Sequence, residues 1–162
     1  MIIKGKAIKF GNNINTDVIL PGKYLELIDP KELAKHAMAG IDPDFPNKVR
    51  DGAVLIGGKN FGCGSSREQA PIALKYSGVK CVLAEYFARI FYRNCINIGL
   101  PAIECENISK NIEEGDSISI DLEKGIIRNE TQDKSFKTNP IPEFLMAILQ
   151  KGGLIEYLKK GD

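Results

Sequence analysis

The chain contains few of the residues on which several common kinds of site depend. Its 162 residues include one histidine, His36, and no tryptophan. A Ser-His-acid triad would have to use that histidine, and a metal site with two histidine ligands cannot be built within the chain. Basic and acidic residues number 22 and 21, for a formal net charge of +1. No pole of charge predicts binding to nucleic acid or to a membrane surface.

The four cysteines are too far apart to form a C-x-x-C pair. They are Cys63, Cys81, Cys95 and Cys105. Their spacing matches no zinc or iron–sulfur motif, so we expect free thiols and no metal ligand in this chain. The longest apolar runs have the length of strands, and the N-terminus lacks the apolar region of a secretion signal. We therefore expect a cytoplasmic protein with no membrane segment.

Apolar patterning predicts one mixed α/β domain over residues 1–162. Strands are expected at 2–9, 53–58, 80–85 and 100–105. Two or three antiparallel strands should follow, with a turn at 123–125. Helices are expected at 30–38, 67–77 and 86–99, and as two C-terminal pieces broken at Gly152-Gly153. Residues 17–20 are expected to be extended, and residues 39–52 to form a loop.

The clearest local pattern is a β-loop-α-β unit over residues 53–85. A strand, a loop, a helix and a second strand in this order predict two parallel neighbouring strands with a right-handed crossover. The loop reads "KNFGCGSS" and leads into the helix at Arg67. The expected fold therefore combines one parallel unit with an antiparallel β region in a mixed sheet.

The stretch "FGCGSSR" within that loop predicts an anion-binding pocket with two hydroxyl groups. The first N–H groups of a helix lack intrahelical partners and favour anions. Arg67 adds a guanidinium fork suited to a carboxylate or phosphate. Gly62 and Gly64 let the backbone approach a ligand closely. Ser65 and Ser66 are either carboxylate-binding hydroxyls or include a reactive serine activated by this positive surrounding.

Two other interpretations of the same loop remain open. Ser65 and Glu68 match the S-x-x-E pattern of a helix capping box. Residues 62–64 begin a G-x-G-x-x-G nucleotide fingerprint, but Arg67 occupies the third glycine position, where close helix packing requires no side chain. An anion- or nucleotide-binding module without catalysis is therefore the alternative class of function.

Three separated motifs carry a resemblance to a known family. They are "KFGNNINTDVILPGKYL", "KNFGCGSSREQAPIAL" and "FARIFYRNCINIGLP". In this order and spacing they resemble the small subunits of 3-isopropylmalate dehydratases, in the aconitase superfamily, and those of the related homoaconitases. The resemblance covers nearly the whole chain. It implies a swivelling β/β/α domain and a hydro-lyase that interconverts 2-isopropylmalate and 3-isopropylmalate in leucine biosynthesis.

The resemblance also implies that the reaction needs two subunits. A large subunit would carry a [4Fe–4S] cluster held by three cysteines, with the fourth iron acting as Lewis acid on a small 2-hydroxy di-acid. In this chain, Ser65 would be the base that removes the Cα proton. Ser66, Arg67 and Gly64 would bind a substrate carboxylate. Asp17 would pair with a catalytic histidine of the large subunit.

The resemblance assigns substrate selection to the loop of Tyr24, Leu25, Glu26, Leu27 and Ile28. Homoaconitase-type small subunits have an arginine at the position of Glu26, where it holds an additional carboxylate. Glu26 would repel a third carboxylate, whereas Leu25, Leu27 and Ile28 could contact an apolar substituent. Isopropylmalate is therefore favoured. Homoaconitase activity and other 2-alkylmalates, such as citramalate and dimethylmalate, remain alternatives because an apolar pocket discriminates weakly.

Two arginines four residues apart, Arg89 and Arg93, should share one face of the helix expected at 86–99. They are expected at a subunit interface, in support of the Ser65 loop, or as plain surface charge. Ile90, on the same helix, is expected in the core.

Overall fold

A seven-stranded sheet organises the chain in a computed structural model that describes residues 1–138 and 140–160. Its strands are β1 (Ile2–Lys9), β2 (Ala53–Ile56), β3 (Val79–Ala84), β4 (Ala102–Glu104), β5 (Ser117–Asp121), β6 (Ile126–Asn129) and β7 (Lys134–Lys137). The helices are α1 (Thr16–Ile19), α2 (Pro30–Ala34), α3 (Phe45–Val49), α4 (Gln69–Ser77), α5 (Arg89–Asn97), α6 (Ile108–Asn111), α7 (Glu143–Gln150) and α8 (Leu154–Lys160). Within the described ranges, no helix is both long and apolar enough to cross a membrane.

The sheet has a parallel half and an antiparallel half that meet at β1. Its strand order is β4-β3-β2-β1-β5-β6-β7. Strands β1 to β4 pair in parallel, whereas β1 pairs antiparallel with β5, and β6 and β7 continue that pattern. The predicted mixed α/β sheet is confirmed, as are the β2-α4-β3 unit with parallel neighbours and the three-stranded antiparallel region.

The central strands are apolar throughout because both faces of the sheet are covered. In β2, Ala53 and Leu55 contact the core on one face, while Val54 and Ile56 contact the core on the other. All four side chains are buried. The loop that follows β2 lies at the end of this covered sheet where the parallel strands terminate.

The prediction of an extended segment at 17–20 is wrong, because residues 16–19 form the single helical turn α1. Asn15 precedes the turn in an extended conformation, and its Oδ1 accepts the N–H of Val18 at 2.9 Å. A side-chain acceptor at this position satisfies an N–H group that would otherwise lack a partner, so it favours a helix start. The apolar pattern alone did not show this local effect.

The loop expected at 39–52 is also partly wrong, because it contains α3. Phe45 and Val49 lie four residues apart on this helix and are fully buried. Pro46 falls in the first turn, where its missing N–H has no cost. The two prolines of the segment indicated a loop, but burial of one apolar face outweighs that tendency.

Several predicted helix and strand ends shift by two or more residues. Helix α2 ends at Ala34 rather than near residue 38, and β2 ends at Ile56 rather than at 58. Helix α4 begins at Gln69 and α5 at Arg89, later than expected in both cases. The C-terminal break at residues 152–153 is confirmed, and the short α6 was not predicted.

A buried carboxylate fastens the antiparallel half of the sheet. Asp116, only 6% exposed, accepts three hydrogen bonds of 2.8 Å on Oδ2. The donors are the backbone N–H of Glu113 and the side-chain amides of Asn129 and Gln132. These donors favour the ionised form and lower the pKa of Asp116, the Glu113 N–H contributing most.

Replacing Asp116 with alanine should lower the melting temperature at neutral pH, and the loss should shrink in acid. A carboxyl group whose pKa is lowered by folding stabilises the protein above its ordinary pKa of about 4, and this contribution disappears as pH falls through the lowered value. Thermal unfolding of Asp116→Ala and the wild type at about pH 7 and about pH 3 measures the difference. Asp51→Ala, which removes an exposed carboxylate, is the control. An effect of equal size at both pH values would contradict this prediction.

Candidate active site

The glycine-rich loop after β2 lies beside the segment that precedes and starts α1. The Gly62 N–H donates to the Ile14 carbonyl at 2.7 Å, and the Thr16 N–H donates to the Cys63 carbonyl at 2.8 Å. The buried Thr16 Oγ1 also donates to the Ser65 carbonyl at 2.7 Å. Sequence reasoning missed Thr16, because its partner lies 49 residues away in the chain. The result is a loop whose backbone is fixed from one side.

An aromatic cluster supports the other side of the loop. The Phe61 N–H donates to the Tyr86 carbonyl, and the Ala88 N–H donates to the Phe61 carbonyl. Residues 86–88 are therefore extended rather than helical, and this pairing is the reason that α5 begins late. The ring centroid of Phe61 lies 6.0 Å from that of Phe87 and 5.5 Å from that of Phe91. These rings form an apolar support beneath the loop.

Glycine is required at positions 62 and 64 of the loop for different structural reasons. Gly62 has φ of +83°, and a Cβ there would lie 2.1 Å from Cγ of the buried Phe91. Gly64 has φ of +95°, but the nearest atoms to its Cβ position are 3.5 Å away. Position 62 therefore requires glycine for both space and backbone conformation, whereas position 64 requires it for conformation alone.

An open cavity of about 240 Å³ lies against this loop. All four loop residues predicted from the resemblance line it, namely Gly64, Ser65, Ser66 and Arg67. Four residues of α5 that were not assigned to the cavity also line it, namely Arg89, Ile90, Phe91 and Asn94. With Thr16 of α1, the structure thus brings three separate elements of the sequence to one concave surface.

The loop presents unpaired backbone donors to this surface. Ser65 and Ser66 are exposed, and the N–H groups of residues 64–67 make no hydrogen bond within the described part of the chain. The capping box expected from Ser65 and Glu68 does not form, because Glu68 itself precedes α4 and makes no side-chain cap. The serine hydroxyls are therefore not used to cap α4. Unpaired N–H groups next to an arginine are suited to an anionic ligand.

Arg67 is held in place by contacts with α1 and the residue after it. Its Nη1 donates to Asp17 Oδ1 at 3.0 Å and to the Leu20 carbonyl at 2.8 Å. The side chain of Arg67 is 16% exposed, whereas that of Asp17 is 68% exposed. The Arg67 hydrogen bond, followed by one from the Gly22 N–H, lowers the pKa of Asp17. Asp17 is therefore an ionised partner of Arg67 at the edge of the site.

The two arginines of α5 occupy different surroundings. Arg89 lines the cavity, pairs with Glu104 at 2.8 Å and lies 5.6 Å from the ring centroid of Tyr92. Arg93 is exposed and is not among the cavity-lining residues. The core position expected for Ile90 is wrong, because this side chain is 53% exposed at the cavity. The inward face of α5 is instead formed by Phe91 and Cys95.

The predicted selection loop does not line the cavity. Leu25 and Leu27 are partly buried against the core, whereas Glu26 is exposed and Ile28 is 90% exposed. None of the described cavity-lining residues comes from Tyr24–Ile28. The assignment of substrate selection to this loop therefore stays a prediction.

His36, Cys81 and Cys95 are not among the residues that line the cavity. The ring of His36 stacks on Tyr24, with 3.7 Å between centroids. Cys81 and Cys95 are buried, and burial raises the pKa of both thiols. Within the described ranges, no cluster of three histidine, cysteine or acidic side chains could hold a metal ion.

Comparison with known proteins gives consistent matches. The family described as "Aconitase C-terminal domain" matches residues 12–108. The isopropylmalate/citramalate isomerase small subunit of Methanocaldococcus jannaschii is 58% identical, over 98% of this chain and 95% of that protein. The 3-isopropylmalate dehydratase small subunit of Caldicellulosiruptor saccharolyticus is also 58% identical, over 98% and 92%. The crystal structure of 3-isopropylmalate dehydratase from M. jannaschii has a TM-score of 0.93 at 53% identity, covering 99% of this chain and 95% of that one.

Alanine substitutions at the two loop glycines should have unequal effects on stability. Gly64→Ala adds only the strain of a positive φ, about 1–2 kcal/mol. Gly62→Ala adds the same strain and also forces Phe91 or the loop to move, which costs roughly 1–3 kcal/mol more. Urea unfolding of the two variants and the wild type measures both free energies. Equal losses at the two positions would show that the contact with Phe91 does not constrain Gly62.

Proposed function

Because the chain belongs to the aconitase C-terminal domain family, among the small subunits of 3-isopropylmalate dehydratases, we propose that it is the small subunit of such an enzyme. The family match and the similar proteins confirm the resemblance that the three sequence motifs carry. The reaction is the interconversion of 2-isopropylmalate and 3-isopropylmalate in leucine biosynthesis, through the unsaturated product of dehydration. Residues 1–162 would act in it as one swivelling domain.

One observation in the structure supports this function most directly. Ser65, Ser66 and Arg67 line one open cavity, with the N–H groups of residues 64–67 unpaired within the described chain. Two hydroxyls, a fixed guanidinium and free N–H groups can bind a carboxylate and stabilise negative charge on oxygen. This is the chemistry that a dehydratase of 2-hydroxy di-acids requires from a domain that closes over its substrate.

The chain's own residues would divide the work between binding and proton transfer. The Nε–Nη2 edge of Arg67 would bind a substrate carboxylate, with Ser66 and the N–H of Gly64 beside it. Ser65 Oγ would accept the Cα proton as an alkoxide and return a proton in the hydration direction. The positive charge of Arg67 and the loop N–H groups would stabilise that alkoxide, since the described residues that line the cavity include no histidine to assist it.

The remaining chemistry would come from a large subunit. Its [4Fe–4S] cluster would supply a Lewis acid for the substrate hydroxyl. In this chain, Asp17 Oδ1 is engaged by Arg67 and Gly22, and Asp17 as a whole is exposed. Its second oxygen would therefore be available to a histidine of the large subunit, the role that the resemblance assigns to Asp17.

Among substrates, isopropylmalate is favoured and citramalate is the second candidate. The relatives compared above carry both substrates in their names. Both compounds have two carboxylates and an apolar substituent, whereas homocitrate has a third carboxylate that Glu26 would repel. A nucleotide-binding module is not favoured, because Arg67 occupies the position where a nucleotide loop needs its third glycine.

Activity on alkylmalates is expected only for the assembled enzyme. The chain and its cognate large subunit are combined anaerobically, and absorbance of the unsaturated product is followed with isopropylmalate, citramalate and homocitrate. Isopropylmalate should be turned over at least about tenfold more efficiently than homocitrate, and the isolated chain should be inactive. No activity on any alkylmalate would overturn the proposed function. Comparable turnover of homocitrate would overturn the substrate assignment alone.

Replacing Ser65 with alanine should lower kcat by about 10²–10⁴-fold with a smaller change in KM, because the proton acceptor is lost. Ser66→Ala is the matched variant and should mainly raise KM, because it removes a binding hydroxyl. Gel filtration of both complexes checks that assembly is unchanged. Full activity of the Ser65→Ala complex would remove this residue from catalysis and leave the chain a structural role.

A further inference from the structure

We infer that Asp17 is a positioning residue that joins the start of the segment Gly22–Ile28 to the carboxylate-binding edge of Arg67. This inference rests on the proposed function, because it takes Arg67 as the ligand of a substrate carboxylate. A single oxygen, Asp17 Oδ1, accepts from Arg67 Nη1 at 3.0 Å and from the Gly22 N–H at 3.1 Å. One atom thus connects Arg67 with the segment that contains Tyr24–Ile28, the residues predicted to select the substrate.

The contacts of Arg67 determine which of its donors remain for a ligand. Nη1 carries two hydrogens, and both have partners, Asp17 Oδ1 and the Leu20 carbonyl. Nε and Nη2 make no hydrogen bond within the described residues. These two groups form one edge of the guanidinium, with parallel N–H bonds that suit a carboxylate. Asp17 and Leu20 therefore leave this edge for the substrate.

The segment is organised from the same point. Gly22 begins a 3₁₀ turn that ends at Tyr24, and the Leu25 N–H donates to the Gly22 carbonyl at 3.1 Å. The Leu27 N–H then donates to the Tyr24 carbonyl at 3.1 Å. Residues 23–28 are not among the described residues that line the cavity, and the hydrogen bond from the Gly22 N–H to Asp17 connects their segment to Arg67. A shift of Arg67 on carboxylate binding would reach the segment through it.

Two substitutions at Gly22 separate this bond from other effects. Gly22→Pro removes the N–H, and proline is tolerated in the first turn of a helix. The preceding residue, Pro21, already has ψ of 146°, the extended conformation that a following proline requires. Gly22→Ala keeps the N–H, and its Cβ would lie 3.8 Å from Arg67 Nη2 and Asp17 Oδ1, an ordinary contact.

The first measurement is hydrogen exchange of the Leu25 and Leu27 amides in the isolated chain. Gly22→Pro should accelerate their exchange by about tenfold, because the segment loses its connection to Asp17. Gly22→Ala should exchange as the wild type does. Asp17→Ala is a second variant for the same measurement and should also accelerate exchange. Without the large subunit, this result does not depend on any pairing of Asp17 with a histidine.

The second measurement is steady-state kinetics of the assembled enzyme with 2-isopropylmalate. Gly22→Pro should raise KM about fivefold with kcat nearly unchanged, and Gly22→Ala should change neither. Unchanged exchange, or faster exchange with an unchanged KM, would overturn the positioning role while wild-type activity still supports the proposed function. If the wild-type complex is inactive on alkylmalates, the proposed function fails and the substrate-positioning role of Asp17 fails with it. The exchange data would then still decide whether the Gly22 link exists.

Discussion

The candidate site depends on the pairing of residues 62–65 with residues 14–16. Three hydrogen bonds, two between backbones and one from the Thr16 hydroxyl, fix the loop that carries Ser65. The same pairing places the single turn α1 beside Arg67, where Asp17 and the Leu20 carbonyl meet the guanidinium. Asn15 caps that turn and so fixes its direction. Residues 14–20, which precede the segment Gly22–Ile28, therefore orient both the proposed base and the proposed carboxylate ligand.

In the proposed function, this arrangement would supply half of a reaction centre. It contains a fixed cation, two hydroxyls and unpaired N–H groups, all of which stabilise negative charge. A serine hydroxyl is a weak base, and the proton on the α-carbon of a carboxylate is weakly acidic, so positive surroundings on the serine side alone leave a large barrier. The described residues hold no cluster suited to a metal, and His36 is stacked on Tyr24 away from the cavity. In the proposed function, the second half of the chemistry would come from the large subunit.

The strands and site residues that could be predicted from the sequence are those indicated by residues adjacent in the chain. Strands β2 and β3 are buried on both faces and read as continuous apolar runs, and Ser65, Ser66 and Arg67 are adjacent in the chain. Helices α1 and α3 were missed because turns of four or five residues are stable only through a cap or a buried face. The resemblance named Asp17, but its contact with Arg67 spans 50 residues and appears only in the folded chain. Thr16 gave no sequence signal for the same reason.

In the proposed function, selection among substrates would depend on which positions the segment Gly22–Ile28 can occupy relative to Arg67. Leu25 and Leu27 pack against the core, Glu26 is exposed, and none of the described cavity-lining residues comes from Tyr24–Ile28. Four residues from Gly22 to Glu26 span at most about 14 Å when fully extended. Charges interact over about 8–10 Å at ordinary ionic strength, and further in a site from which water is excluded. A fully extended segment would therefore carry position 26 beyond that range, whereas a folded segment that starts at Gly22, bound to Asp17, would keep position 26 close to Arg67. In the proposed function, the residue at position 26 would then influence a third carboxylate without touching it, and the folding of the segment that begins at Gly22, bound to Asp17, would set the distance over which that influence acts.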